Sequence, residues 1–247
     1  MKRIFRKRKT VIALIATALI LLALLVICAI YVSDYYRAKD DEIEAFTPKM
    51  TTEIYKKDHI SIGDEKSEIG FVFYPGGKVD HLSYLPLMRD LARRGIFCVL
   101  YDMPFNLAVF GANSASEIAE EYPDVGQWYI GGHSLGGSMA ASCLSKNPTV
   151  FKGLVLLGSY SATDISSLDI RVLSVYGSED GVMNRDKYEE NKKNIPKDFT
   201  ETVIEGASHA YFGMYGEQDG DGEARISAEQ QITITSGVIF DFLKSNA

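Results

Sequence analysis

A serine between two glycines is the residue of this chain best placed to act as a nucleophile. Residues 132–136 read Gly-His-Ser-Leu-Gly, with an apolar run before them and small residues after them. This pattern predicts a strand, a sharp turn and a helix, a nucleophile elbow that exposes the Ser134 hydroxyl. Side chains flanking so tight a turn would clash, which explains the glycines. The Leu135 amide, at the helix start, would point at the reacting oxygen. An incidental serine in a glycine-rich turn is the alternative.

A serine hydroxyl needs a base, and the chain contains four histidines. His133 is next to Ser134, and we expect its side chain to point away from the site. His59 lies in a predicted edge hairpin, and His81 precedes the first helix of the predicted sheet. His209 follows the last predicted strand, at the sheet edge where the elbow emerges. His209 is therefore the predicted general base, with a surface-loop histidine as the alternative.

The acid that orients the histidine should follow a strand between the elbow and His209. Residues 172–176 form such a predicted strand, and Gly-Ser-Glu-Asp-Gly-Val comes directly after it. Glu179 and Asp180 are adjacent and point in different directions, so only one of them can serve. We favour Asp180 because it stands before the Gly-Val pair. A turn or capping carboxylate is the alternative.

The elements that must position these residues follow from the hydrophobic pattern. Short apolar runs alternate with longer amphipathic segments, which indicates a mostly parallel sheet with helices on both faces. Strands are predicted at residues 69–74, 97–101, 128–131, 154–157, 172–176 and 202–204. Helices are predicted at residues 84–93, 115–121, 135–145, 186–194 and 228–243. Residues 51–62 are expected to add an antiparallel edge hairpin, so that one catalytic domain occupies residues 51–247.

The N-terminal segment differs from the rest of the chain. Residues 1–9 contain six Lys and Arg and no acid, and residues 10–33 contain no charge. A helix over residues 10–33 would be about 36 Å long, enough to cross about 30 Å of hydrocarbon. The basic segment predicts a cytoplasmic N-terminus and an extracytoplasmic catalytic domain. We expect a single-pass helix at 10–33 that contacts the lipid bilayer and a polar linker at 34–50. A cleaved signal peptide is the alternative.

The composition excludes several classes of protein. The hydrophobic share of 46% and the charged share of 24% are typical of a globular protein and not of a disordered one. Outside residues 1–9, the remaining 20 basic residues face all 33 acidic residues, a net charge of −13. So acidic a domain repels phosphate groups, and nucleic acid is not an expected partner.

No metal site is predicted. Cys28, Cys98 and Cys143 lack the spacing of metal ligands, and two buried thiols are favoured over a Cys98–Cys143 disulfide. Residues 219–222 read Asp-Gly-Asp-Gly, a fragment of a calcium loop without its remaining ligands. A flexible turn is expected there.

Four segments carry a resemblance to a known family. They read Phe-Tyr-Pro-Gly-Gly-Lys at 73–78, Gly-Gly-His-Ser-Leu-Gly-Gly at 131–137, Gly-Ser-Glu-Asp-Gly-Val at 177–182 and Gly-Ala-Ser-His-Ala-Tyr-Phe-Gly at 206–213. With them, residues 68–247 resemble the α/β-hydrolases, most closely the bacterial dienelactone hydrolase-like (carboxymethylenebutenolidase-like) proteins. The resemblance implies the α/β-hydrolase fold and the chain order Ser, Asp, His for the catalytic triad.

Two departures from the family pattern affect the site. The family's His-Gly before the oxyanion position is Pro75-Gly76 here, so Gly77 is the expected second oxyanion amide, with Lys78 as the alternative. Dienelactone hydrolases proper use a cysteine nucleophile, whereas this chain has Ser134, which argues against a dienelactone substrate.

The implied mechanism is acyl transfer without a metal or an organic cofactor. Ser134 attacks a carbonyl, His209 takes its proton, and Asp180 holds the imidazole tautomer. The leading hypothesis is a membrane-anchored serine hydrolase of a small carboxylic ester or thioester. A peptidase or acyltransferase with the same triad, and a non-catalytic binding protein on the same fold, are the alternatives.

Substrate-binding residues are less well specified. About fourteen residues, 158–171, separate two predicted strands, so we expect no large cap and an open site. Tyr160 would lie at its rim, and Tyr211 would line the acyl pocket or belong to the core. Lys78 and Asp102, at strand ends, could bind a charged substrate group, although solvated or structural charges are the favoured interpretation.

Overall fold

The computed structural model describes the backbone of residues 2–245 and the side chains of residues 14–245. The chain forms two compact units, with the boundary between Tyr35 and Tyr36. The first unit is helix α1 (Lys2–Ser33), and its side chains from Leu14 onward are almost all exposed. The Leu14–Ser33 stretch is long and apolar enough to cross a membrane, a property that signal sequences share. The side chains of the expected basic segment, 1–9, lie outside the described residues.

The second unit contains the remaining helices and all strands of the described chain. The helices are α2 (Asp40–Phe46), α3 (Leu85–Arg93), α4 (Ile118–Glu121), α5 (Leu135–Lys146), α6 (Arg185–Asn191) and α7 (Ala228–Lys244). The strands are β1 (Glu53–Tyr55), β2 (His59–Ile62), β3 (Ile69–Tyr74), β4 (Phe97–Tyr101), β5 (Gln127–His133), β6 (Phe151–Leu157), β7 (Arg171–Gly177) and β8 (Thr200–Ile204).

Within residues 2–245 the strands form one sheet in the order β1-β2-β4-β3-β5-β6-β7-β8. The pairs β1–β2 and β2–β4 are antiparallel, and all other pairs are parallel. The expected edge hairpin and the expected parallel sheet are therefore both present. Because parallel strands end at one sheet edge, the loops after β3, β5, β6, β7 and β8 meet there.

The sheet separates two hydrophobic cores. Alternate side chains of β3 point to opposite faces, as the period of an extended strand requires. Phe71 and Phe73 pack with residues of α3 and α7, whereas Val72 and Tyr74 pack with residues of α4 and α5. All six residues of β3 are buried. Burial on both faces explains why this strand is apolar throughout its length.

In the segment that was expected to be a polar linker, residues 34–50, the part from Tyr36 onward belongs to the second unit. The Tyr36 amide donates to the Lys78 carbonyl at 2.8 Å, and the Asp80 amide donates to the Tyr36 carbonyl at 2.9 Å. The fully buried Arg89 pairs with Glu44 of this segment at 2.8 Å and also donates to the Thr47 carbonyl. These contacts satisfy a buried guanidinium, which explains why the segment packs although its sequence is polar.

Among the described residues, no cap covers the sheet edge between β6 and β7. The thirteen residues 158–170 contain no helix or strand among the described elements.

Cys98 and Cys143 are free, buried thiols that belong to different cores. The favoured interpretation of these cysteines is therefore confirmed, and the disulfide alternative is wrong.

Candidate active site

Ser134 is held in a strained turn between β5 and α5. Its backbone angles are φ 51° and ψ −120°, a conformation that non-glycine residues rarely adopt. The neighbouring glycines make the turn possible. An added Cβ at Gly132 would lie 2.5 Å from the Gly136 carbonyl carbon, and an added Cβ at Gly136 would clash with the Tyr74 carbonyl oxygen. The predicted strand, sharp turn and helix are thus present, and the Ser134 side chain is partly exposed.

Two hydrogen bonds from β6 and the residues after it hold the strained backbone of Ser134. Its amide donates to the Leu157 carbonyl at 2.9 Å. Its carbonyl accepts the hydroxyl proton of Ser159 at 2.6 Å. Strain of this kind persists only where surrounding contacts over-determine the conformation. Ser159 therefore supports the turn at Ser134, although the sequence pattern assigned it no such role.

Asp180 and His209 form a hydrogen-bonded pair at the same sheet edge. His209 Nδ1 lies 2.8 Å from Asp180 Oδ2, and both side chains are buried. The other oxygen, Oδ1, accepts the amides of Val182 at 3.0 Å and Met183 at 2.8 Å. These bonds fix the carboxylate, and the carboxylate fixes the imidazole with Nδ1 protonated. His209 Nε2 is buried and forms no hydrogen bond within the described chain, so it is available to accept a proton.

Gly158, directly after β6, connects the residue that bonds Ser134 with the His209–Asp180 pair. It follows Leu157, which bonds Ser134, and its φ is 50°. An added Cβ would lie 2.9 Å from His209 Nδ1 and 3.1 Å from Asp180 Oδ2. The backbone at Gly158 therefore packs directly against this pair, and no side chain fits.

Glu179, the competing acid, lies outside this cluster. Its carboxylate accepts from Ser178 and pairs with Arg225 on the surface. These contacts, first the Ser178 hydroxyl and then the Arg225 guanidinium, lower the pKa of Glu179. The structure thus places Asp180, and not Glu179, against His209.

The expectation that His133 points away from the site is wrong. The His133 ring lies 4.4 Å from the His209 ring, centroid to centroid, and its Nδ1 is 2.8 Å from the Tyr84 hydroxyl. That hydroxyl accepts the Gly76 amide at 3.1 Å, so its own proton is directed at His133. Complete burial, reinforced by the neighbouring His209, holds the pKa of His133 well below its usual value. His133 is therefore a neutral ring that packs against the His209 ring. It does so because the last side chain of β5 points towards His209 and Tyr84.

The other two histidines are remote from this arrangement. His59 is buried in β2 and pairs with the Tyr122 hydroxyl and with Asp58. His81 faces Asp80 and Asp102 at 3.5 and 3.4 Å. Neither contacts the His209–Asp180 pair, in line with their exclusion as bases.

The loop after β3 lies beside the start of α5, where the oxyanion amides were expected. An added Cβ at Gly77 would lie 2.9 Å from Leu135 Cδ2, so these two residues are in contact. The Lys78 amide instead donates to the Asn106 carbonyl at 2.8 Å. Lys78 therefore cannot offer its amide to a substrate, which leaves Gly77 with Leu135 as the candidate pair.

The remaining predicted residues occupy different positions around the cluster. Tyr160 is half-buried and lines a small cavity with Ser161 and Tyr188. Tyr211 is half-buried, packs against a core and lines a cavity of about 390 Å³ on the His209 loop. Asp102 is exposed and faces His81. The structure gives none of these side chains a contact with Ser134.

Asp221 is a residue of this region that the sequence analysis did not identify. Its Oδ1 accepts the amides of Gly181 and His209, each at 3.1 Å, and its Oδ2 accepts the Ala210 amide at 2.8 Å. One carboxylate thereby joins the loop that carries Asp180 to the loop that carries His209. The expected flexible turn at 219–222 is instead tied to both loops. Only the Asp-Gly-Asp-Gly pattern marked this segment, as an incomplete fragment of a calcium loop, and it gave no indication of contacts with other loops.

This arrangement can support proton transfer at a serine hydroxyl. A fixed carboxylate orients an imidazole whose free nitrogen is buried, and a strained serine follows β5, two strands from β7 in the sheet. The loop after β3 contacts the start of α5, where Gly77 lies against Leu135. These are the parts required for acyl transfer through a tetrahedral intermediate.

Comparison by sequence places the chain in a known group. A model described as the alpha/beta hydrolase family matches residues 70–233, about two thirds of the chain. The match contains the elbow, Asp180 and His209. The comparison with curated proteins gives no match.

Comparison with solved structures finds proteins of similar fold. A monoacylglycerol lipase from Paleococcus ferrophilus superposes with a TM-score of 0.59 at 14% identity, over 78% of this chain and 100% of the lipase. Est1E from Butyrivibrio proteoclasticus gives 0.57 at 13%, over 78% and 97%. A carboxylesterase from Nitrososphaera gargenis gives 0.57 at 12%, over 75% and 93%. At such identities the likeness concerns the fold alone.

Proposed function

Because the chain belongs to the alpha/beta hydrolase family and has the fold of that family, we propose that it is a membrane-anchored serine hydrolase of carboxylic esters. The observation that carries this proposal is the buried Asp180–His209 pair, with a free imidazole nitrogen beside the Ser134 elbow. The names of the similar structures, a lipase and a carboxylesterase, favour ester bonds. Thioesters would react through the same steps.

In the proposed mechanism, Ser134 Oγ attacks the ester carbonyl while His209 Nε2 takes the hydroxyl proton. Asp180 keeps the proton on Nδ1 and stabilises the imidazolium. The amides of Leu135 and Gly77 bind the developing oxyanion, and each such donor contributes about 2.7–4 kcal/mol in comparable sites. His209 then gives the proton to the departing alcohol, and water releases the acyl group by the reverse steps.

Two further parts of the proposal concern the chain outside the triad. Helix α1 serves as the anchor, because its Leu14–Ser33 stretch is apolar and its side chains are exposed. Asp221 keeps the Asp180 and His209 loops in register through its three bonds across them. Ser134 in place of a cysteine separates the chain from the dienelactone hydrolases proper, so a dienelactone is not the proposed substrate.

The test is covalent labelling of the full chain in detergent with a fluorophosphonate, followed by intact mass. Wild type should gain one adduct, because the reagent reports an activated serine whatever the natural substrate is. Ser134→Ala should gain none, and Ser138→Ala, a serine on α5 just beyond the elbow, should label like wild type. A folded wild type without an adduct would contradict the proposal and favour a non-catalytic binding protein.

A further inference from the structure

Strained backbone is concentrated around the proposed nucleophile. The described non-glycine residues with positive φ are Lys78, Phe105, Asn106 and Ser134, at 58°, 59°, 54° and 51°. Lys78 and Asn106 are directly joined, since the Lys78 amide donates to the Asn106 carbonyl at 2.8 Å. Residues in this conformation are rare and cluster at functional sites. The elbow accounts for Ser134, whereas the function proposed above does not account for the segment at Phe105.

That segment presents apolar side chains to solvent. Phe105 and Phe110 are 61% and 62% exposed, and Val109 is 48% exposed. The two rings are 5.7 Å apart and nearly perpendicular. Single exposed apolar residues are common, but a group of them marks a binding surface. These three residues are called the aromatic patch below.

The segment that carries the aromatic patch contacts elements of the candidate active site at two points. Asn106, next to Phe105, bonds Lys78, and Lys78 follows Gly77, which contacts Leu135. The turn Ala108–Phe110 packs against α5, the helix that begins directly after Ser134. The backbone that carries the patch is therefore tied to the oxyanion side of the site.

We propose that the aromatic patch is a subsite for the apolar chain of the ester, so that favoured substrates carry an alkyl or aryl chain of several carbons. This proposal rests on the proposed function, because the chain must be attached to the carbonyl that Ser134 attacks. Two exposed rings contribute to binding by covering methylene groups that would otherwise contact water. The net charge of −13 outside residues 1–9 disfavours an anionic bilayer surface as the occupant.

The first test compares p-nitrophenyl octanoate with p-nitrophenyl acetate on the full chain in detergent. The double variant Phe105→Asn with Phe110→Ser should lower the octanoate-to-acetate ratio of kcat/KM at least about tenfold. Asparagine tolerates the positive φ at position 105, so the loop keeps its conformation. Val203→Asn removes an exposed apolar side chain from β8, five strands from β4 in the sheet, and should keep the wild-type ratio. An unchanged ratio in the double variant would overturn the subsite.

A second test requires no turnover. In Phe105→Trp, addition of 2-decanone, a ketone that cannot be hydrolysed, should shift the indole emission to shorter wavelength, and 2-butanone should not. A shift without any serine adduct would leave the subsite standing and reject the proposed esterase. Ester hydrolysis without a shift would overturn the subsite and leave the proposed esterase standing. An emission already shifted in lipid vesicles before ketone is added would overturn the subsite, because lipid would then cover the patch.

Discussion

Asp180 has both carboxylate oxygens occupied, one by the His209 imidazole and the other by two backbone amides. Asp180→Asn should therefore reverse the preferred imidazole tautomer and lower kcat by up to about 10⁴-fold. Glu179→Gln should change kcat less than about threefold, because Glu179 forms only surface contacts. Steady-state hydrolysis of p-nitrophenyl acetate measures both. A small loss of kcat in Asp180→Asn together with a large loss in Glu179→Gln would assign the role of the acid to Glu179 instead.

His133 predicts a dependence of stability on pH. Burial lowers its pKa in the folded chain well below 6.5, so below about pH 6.5 only the unfolded chain takes up this proton. The free energy of unfolding should then fall with decreasing pH, by up to about 1.4 kcal/mol per pH unit from this group. His133→Asn should lose that part of the dependence. The emission of Trp128, the one tryptophan, reports unfolding between pH 5 and 8.

The control for this prediction is His81→Asn, which removes a histidine outside the buried cluster. It should leave the wild-type slope between pH 5 and 6.5 unchanged. Parallel pH dependences of wild type and His133→Asn would show that His133 is protonated in the folded chain.

At the scale of elements, three loops from β6, β7 and β8 converge at one sheet edge. Gly158 lies against the His209–Asp180 pair, and an added Cβ at Gly222 would lie 2.0 Å from the Glu179 carbonyl oxygen. The loops are therefore packed backbone to backbone. Such packing transmits a shift in any one loop to the other two.

Asp221→Asn tests the connection between two of these loops. The variant loses one acceptor and the charge, so the Ala210 amide faces an amide donor and the His209 loop should move. A displacement of about 1 Å lowers catalysis about 10²-fold, and we expect kcat to fall by 10- to 100-fold with little change in KM. Asp219→Asn, an exposed residue of the same segment, should retain wild-type kcat.

A proton spectrum separates positioning from a general loss of structure. The Nδ1 proton of His209 should resonate at low field in wild type and in Asp219→Asn, and should weaken or shift in Asp221→Asn. If that resonance and kcat are both retained in a folded Asp221→Asn, Asp221 has no positioning role.

At the scale of the whole molecule, the charge distribution predicts the orientation of the anchor. The six basic residues before the apolar stretch should remain in the cytoplasm. Protease added to intact cells should then digest the catalytic unit. Replacing all six with glutamine should reduce digestion, because the orientation signal is lost. Protection of the unaltered protein, with digestion only after lysis, would refute the assignment.

Local sequence was sufficient for much of the fold. The strands at 69–74 and 97–101 have the predicted bounds, and the edge hairpin lies within the predicted residues. β6 begins at Phe151, three residues before the prediction, because Lys152 is exposed and interrupts the apolar run. Hydrophobic periodicity and glycine spacing are short-range properties, so they determine strands, helices and the elbow directly.

The relations between distant segments required the tertiary structure. Three features depend on which groups of distant segments meet. They are the choice between Glu179 and Asp180, the packing of His133 on His209 and the backbone bond between Tyr36 and Lys78. Asp221 carries no local signal for this role, since its partners are the amides of Gly181, His209 and Ala210, which are distant from it in sequence. The residue types and their order along the chain therefore indicate the chemistry. The folding of loops onto one sheet edge decides which carboxylate contacts the His209 imidazole and which backbone groups hold that carboxylate in place.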